Sequence, residues 1–193
     1  MDQDSYDLLD KSHSDAVEAR NRFGTVFYGS EEWDLVHLRP YAFKQKITLK
    51  SAELEVYVVV IFSCHCFTRG IEHGDKENLY FDEKERRALC PDRYQLSKDL
   101  LPQMVHELSK REIKTTGSDT GNYMTLELVS SDGISQPYIV FFEVSRDLKR
   151  KKRVILRVQS AHIRDTLSQR MKEGRKVNFQ VLVRAAYEGK KIR

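Results

Sequence analysis

A chain of 193 residues carrying 40% hydrophobic and 32% charged residues is long enough to bury one sizeable core and too apolar for a disordered polymer. A net charge of +4 says little about partners, and three cysteines, two of them one residue apart, exclude a disulfide framework and suit a reducing compartment. The acidic opening MDQDSYDLLDKSHSDAVEAR lacks a signal-peptide apolar region, and no apolar run approaches the ~18 residues of a membrane span, so a cytoplasmic protein without membrane contact is expected.

Residues 1–22 carry helix-compatible apolar spacing, with Ser14 placed as an N-cap. The boundaries expected are a helical or partly ordered arm over residues 1–34 and a single domain over 35–193. YAFKQKITL (41–49) alternates like a strand with one wet face, and ELEVYVVVIFSCHCF (53–67) is a nearly unbroken apolar run, which predicts a strand buried on both faces. The short KSAE connection makes the pair an antiparallel hairpin. A glycine-containing charged segment leads to LSKDLLPQMVHELSKR (96–111), whose apolar stripe, with Ser97 as cap, predicts one central helix. ENLYFD within that segment resembles the start of a protease tag, but Asp82 stands where such a site needs glutamine, and the stretch reads as native. YMTLELV, PYIVFFEV, RVILRVQSA and VNFQVLVRAAY then predict a four-strand antiparallel meander, with a short helix near 167–172. The fold class expected is α+β, built on an antiparallel β-sheet.

Charge is distributed unevenly along this architecture. Residues 145–193 hold 16 Lys+Arg against 4 Asp+Glu, a balance of +12, leaving 17 against 25, a balance of −8, for residues 1–144. Such asymmetry points the C-terminal sheet toward an anion, with nucleic acid first, RNA ahead of DNA, and an acidic protein second. A strand of β-period places Cys64 and Cys66 on one face and His65 on the other. A zinc site from Cys64, Cys66, His73 and Cys90 would depart from the usual two- to four-residue ligand spacing, and buried thiols in a core strand are the simpler reading.

His65, at the end of the buried strand, is placed to act as acid or base. VSRD, with Ser145, Arg146 and Asp147, and VQSAHIRD, with Gln159, His162, Arg164 and Asp165, end two other strands. An imidazole with guanidinium groups is the equipment of metal-free RNA cleavage: a base takes the 2′-hydroxyl proton and arginines offset charge on the phosphate. The candidate catalytic residues are His65, Arg146 and Arg164, with Tyr94 as helper. Arg69, Lys149, Arg150, Lys151, Lys152, Arg153 and Arg157 are the candidate nucleic-acid contacts. Neighbouring antiparallel strands end at opposite edges, so convergence of these clusters requires a bend or bulge. No P-loop, dinucleotide, nucleophile-elbow or H-E-x-x-H motif is present, and no cofactor is expected.

FSCHCFT, RYQLSKDLLP, FEVSRD, VQSAHIRD and the closing KKIR together resemble a family of bacterial proteins common on mobile elements. The resemblance spans residues 57–193 and implies a bacterial or phage cytosol, with no mechanism attached. It expects tyrosine where this chain has His162, which leaves His65 as the stronger candidate. The helix-plus-meander layout is similar to small ribonuclease toxins of toxin–antitoxin systems, an analogy of fold alone. The reading is therefore an RNA-binding protein, or a ribonuclease toxin of a mobile element, with a protein-docking module as alternative and a zinc-stabilised regulator as a weaker one.

Overall fold

The computed structural model describes residues 12–18, 21–82, 85–116, 122–131, 134–190 and 192. The helix expected over residues 1–22 falls mainly outside them. Residues Ser14–Ala16 form one 3-10 turn.

The chain first makes a small hairpin, β1 (Val26–Tyr28) and β2 (Glu31–Trp33), turning at Gly29 with φ +61°. Trp33 stacks between Tyr28 and Tyr94 and is 3% exposed. The expected hairpin follows as β3 (Tyr41–Leu49) and β4 (Ala52–Phe62). Its two turn residues, Lys50 and Ser51, both have positive φ (47° and 71°), the requirement of a two-residue turn whose twist matches the strands. β4 is buried on both faces as the apolar run demands: Val56, Val58, Val60 and Phe62 enter the main core, while Val59 and Ile61 form a second cluster with Val17 and Ala16.

Beyond β4 the Cys64–Cys66 stretch is a 3-10 turn, where a strand was expected. A small three-stranded sheet comes next, β5 (Thr68–Arg69), β6 (Leu79–Phe81) and β7 (Arg86–Leu89), in the order β5-β7-β6. The single central helix is instead two, α1 (Pro91–Asp99) and α2 (Leu101–His106). Pro102 explains the break, because it has no N–H to give the carbonyl four residues back and its ring crowds that turn. Ser97 lies inside α1 and caps nothing; its hydroxyl donates to the Tyr94 carbonyl at 2.8 Å. The expected stripe does face the core, with Leu101, Met104, Val105 and Leu108 buried.

β8 (Ile113–Thr115), β9 (Asn122–Ser131), β10 (Ile134–Arg146) and β11 (Arg153–Ile163) are followed by α3 (Gln169–Lys172), β12 (Lys176–Val177) and α4 (Phe179–Tyr187). The large sheet has the order β12-β8-β9-β10-β11-β4-β3. β11 pairs in parallel with β4, Arg153 facing Tyr57 and Val158 facing Phe62; among the described residues its other pairings are antiparallel. The fold is α+β. Three strands of the meander stand, and the fourth is helix α4. VNFQVLV alternates on paper, yet burial falls on Phe179, Leu182, Val183 and Ala186, a helical stripe, with the Asn178 side chain capping the Gln180 N–H at 2.8 Å. α4 packs across β3, β10 and β11.

Candidate functional site

The parallel β11–β4 seam decides where the site forms, because both strands end on the same side of the sheet. After Phe62 the chain turns at Ser63, whose hydroxyl accepts the His65 N–H at 3.1 Å and whose own N–H bonds the Val158 carbonyl at 3.0 Å. Opposite, a bulge between Phe141 and Phe142 leaves Gln159 as an extra residue on β11, so that Gln159 and Ser160 both reach the same space. Bulges commonly re-aim side chains in this way. A cleft of about 520 Å³ results, lined by Asn21, Ser63, Cys64, His65, Asp82, Glu85, Arg157, Gln159 and Ser160.

His65 is held on one side of this cleft. Its Nε2 lies 2.6 Å from Glu85 Oε1. Glu85 also accepts from Arg87 at 3.1 Å, and buried Arg87 donates from Nε to Thr68 Oγ1 at 2.7 Å. Burial alone would push the Glu85 carboxyl up, but the bonds from His65 and Arg87 outweigh it and hold the group below its usual range. An ionised carboxylate only accepts, so Nε2 carries the hydrogen and Nδ1 is the basic nitrogen. Among the described residues Nδ1 has no hydrogen-bond partner, and the ring is 35% exposed. The turn beneath is fixed by Arg93, which donates to the carbonyls of His65 and Thr68 at 3.3 and 2.8 Å.

Across the cleft Arg157 contacts Glu143 at 3.4 Å and Asn21 Oδ1 at 3.5 Å. Asn21 is 1% exposed, and among the described residues its Nδ2 has no partner. Cys64 Sγ lies 3.5 Å from Asp82 Oδ2; burial, then the Asp82 charge, push its thiol up to about 12. Burial does the same to Cys66, also to about 12. Both are neutral thiols at pH 7 in the folded chain. Among the described residues no group of three or more His, Cys, Asp or Glu is placed to hold a metal, so Cys64, Cys66, His73 and Cys90 do not converge.

The other expected site residues are dispersed. Arg146 pairs with Val154 at one end of β11, and Arg164 follows the other end, about 30 Å away at strand rise. Arg164 lies nearer the cleft side, donating to His162 Nε2 at 3.3 Å and covering the Phe141 ring. Burial, with Arg93 and Arg164 nearby, pulls His162 down to about 4. Tyr94 is a core residue: it is 8% exposed, stacks on Trp33 at 4.3 Å and donates to the Asp34 carbonyl at 3.3 Å. Arg69 is bound by both oxygens of Asp75, at 2.7 and 2.8 Å. Arg153 is buried between Asp147 and Asp15, and Arg150 also reaches Asp15. Lys149, Lys151 and Lys152 are exposed on the β10–β11 turn, about 23 Å along the strand from Ser160.

The family model described as the YjaZ family matches residues 25–187. The chain belongs to that family. Protein YjaZ of Escherichia coli (strain K12) is 32% identical over 130 residues, which cover 65% of this chain and 68% of that protein. This places the chain in a bacterial family, as its motifs implied. No solved structure matches significantly. The YjaZ-family match takes in every lining residue of the cleft except Asn21. Among the described residues no helix is long and apolar enough to cross a membrane.

Glu85 and Arg87 escaped the sequence reading because DEKERRAL looks like a solvated charged segment. The strand runs from exposed Arg86 to buried Arg87, Ala88 and Leu89, a burial pattern without the alternation that marks a strand in sequence. Asn21 carried no signal at all, since only the folded chain brings it to Arg157.

Proposed function

We propose that the protein binds RNA and cleaves it without a metal, at the His65 cleft. The observation that carries the reading is the Glu85-oriented imidazole lining an open cleft that also holds Arg157. Nδ1 takes the 2′-hydroxyl proton; the 2′-oxygen bonds to the adjacent phosphorus as the 5′-oxygen leaves, and the imidazolium returns a proton to that leaving oxygen. The products are a 2′,3′-cyclic phosphate and a 5′-hydroxyl. Arg157 exchanges its long contacts with Glu143 and Asn21 for a phosphate oxygen, where its charge offsets the growing negative charge. The exposed cations of the β10–β11 turn hold a more distant stretch of the backbone.

Incubation of single-stranded RNA with the protein and excess chelator tests this. Fragments ending in cyclic phosphate are expected, with His65→Ala slowing their formation by about 10²-fold or more at unchanged fold. RNA left intact by the wild-type protein sinks the catalytic reading. A second reading, a module docking an acidic protein, draws support from Asp15, since that carboxylate already sits on Arg150 and Arg153; tight association without turnover would favour it.

A further inference from the structure

Residues 12–18 and the β10–β11 turn form a charged assembly that takes no part in the His65 chemistry. Asp15 grips Arg153 with both carboxylate oxygens, at 2.8 and 2.9 Å, and receives Arg150 Nε at 3.2 Å. Lys149 Nζ lies 3.5 Å from the Asp15 carbonyl. The Arg153 side chain is 1% exposed and also pairs with Asp147. The segment is also held by packing: His13, 6% exposed, lies against Tyr57 with ring centroids 4.7 Å apart, and half-buried Ala16 and Val17 rest on Val59 and Ile61. The Asp15 fork on Arg153 adds a charge contribution to that packing.

A carboxylate gripped by one guanidinium in a fork, with a second guanidinium and an ammonium beside it, occupies the geometry those groups offer to a phosphate. We infer that Asp15 sits in a phosphate-binding site, and that the turn 149–153 takes a backbone phosphate of RNA when residues 12–18 withdraw. Withdrawal leaves Lys149, Arg150, Lys151, Lys152 and Arg153 facing the single carboxylate of Asp147. Arg153 keeps that partner, which avoids the large cost of a buried unpaired charge. Residues 12–18 thus act as an acidic strap that competes with the ligand for its own site. The inference rests on RNA as the partner and is independent of cleavage at His65.

Asp15→Asn keeps the shape of the side chain and removes its charge. Anisotropy of a labelled single-stranded RNA at low salt is expected to show about fivefold to tenfold tighter binding to this variant, with a salt slope steeper by about 0.7 for the added phosphate contact. Arg150→Ala in the same background should reverse the gain. Unchanged or weaker binding by Asp15→Asn overturns the inference. A gain confined to an added acidic peptide, with RNA unaffected, assigns the site to a protein partner and overturns it as well. Should the variant misfold, hydrogen exchange of the wild type supplies the test: RNA should speed exchange at residues 14–17, and slowed or unchanged exchange sinks the inference. RNA cleavage that persists without any Asp15 effect removes this site and leaves the function standing. Absence of RNA binding by both proteins removes both.

Discussion

Thr68, Arg87, Glu85 and His65 form one chain of hydrogen bonds in which each member fixes the next. Thr68 itself donates to the Cys64 carbonyl at 2.8 Å, so the chain is closed onto the turn that carries the imidazole. The role of Glu85 is separable from stability, because its side chain is 44% exposed and exposed pairs contribute at most ~1 kcal/mol. Glu85→Gln still accepts a hydrogen bond but no longer places a negative charge beside the imidazole. RNA cleavage by this variant is expected to fall about 10-fold to 10²-fold, with a melting temperature near that of the wild type. Loss of folding instead would make Glu85 a structural residue. Thr68→Val is the opposite case: it strands the Nε of a buried arginine, and should lower stability by about 1–3 kcal/mol in a denaturant titration.

At the scale of elements, the short edge strand β12 depends on one glycine. A Cβ on Gly174 would meet the Thr115 carbonyl oxygen at 2.2 Å and the Met171 carbonyl oxygen at 3.3 Å, both of them backbone atoms that cannot step aside. The same junction carries the Thr115 N–H to Arg175 O bond at 2.9 Å and the Arg175 N–H to Thr115 Oγ1 bond at 3.1 Å. Gly174→Ala should therefore cost about 1–3 kcal/mol, read as a lowered denaturant midpoint, and a neutral result would mean that β12 detaches freely. Neither β8 nor β12 was legible in the sequence, since strands of three and two residues leave no periodicity to count. The β3–β4 hairpin was legible because it offers nine and eleven residues of pattern closed by a two-residue turn. α4 was not, for a physical reason: β-branched valines at 177, 181 and 183 favour strands locally, and only packing of the 179, 182, 183, 186 stripe against the sheet overrides them. The cleft was half legible. His65 announced itself by chemistry, while Arg157 was seen only as one cation in a basic run, and its contacts come from Glu143 on the paired strand β10 and from Asn21, far away in sequence.

Over the whole molecule, part of the uneven charge along the chain is answered by internal pairing, with Asp15 answering Arg150 and Arg153, and Glu143 answering Arg157. This arrangement makes stability respond to acid through both signs of group. Burial lowers His13, with Arg153 and then Arg150 adding to the effect, and burial lowers His37 and His162 to about 4 each. A depressed imidazole stays neutral in the folded chain while its unfolded counterpart takes a proton below about 6.5, so its contribution is whole above that pH and declines as pH falls toward the folded value. Asp15 has the same sense lower down: the Arg153 hydrogen bonds hold its carboxyl ionised well below the usual range, and its contribution goes only when protons reach it. The groups facing His13 are Asp15, Arg153, Arg150 and Tyr57, and its two arginine neighbours oppose a third cation there. Unfolding free energy is thus expected to fall between pH 7 and pH 5 by on the order of 2 kcal/mol, discounted for the partial exposure of His37 and His162. Urea titrations at the two pH values measure it. His37→Gln, which keeps a polar partner for Ser97 Oγ now 2.8 Å from the ring, should remove part of the slope, whereas a slope of zero in the wild-type chain would mean that the folded imidazoles take up protons as readily as the unfolded ones.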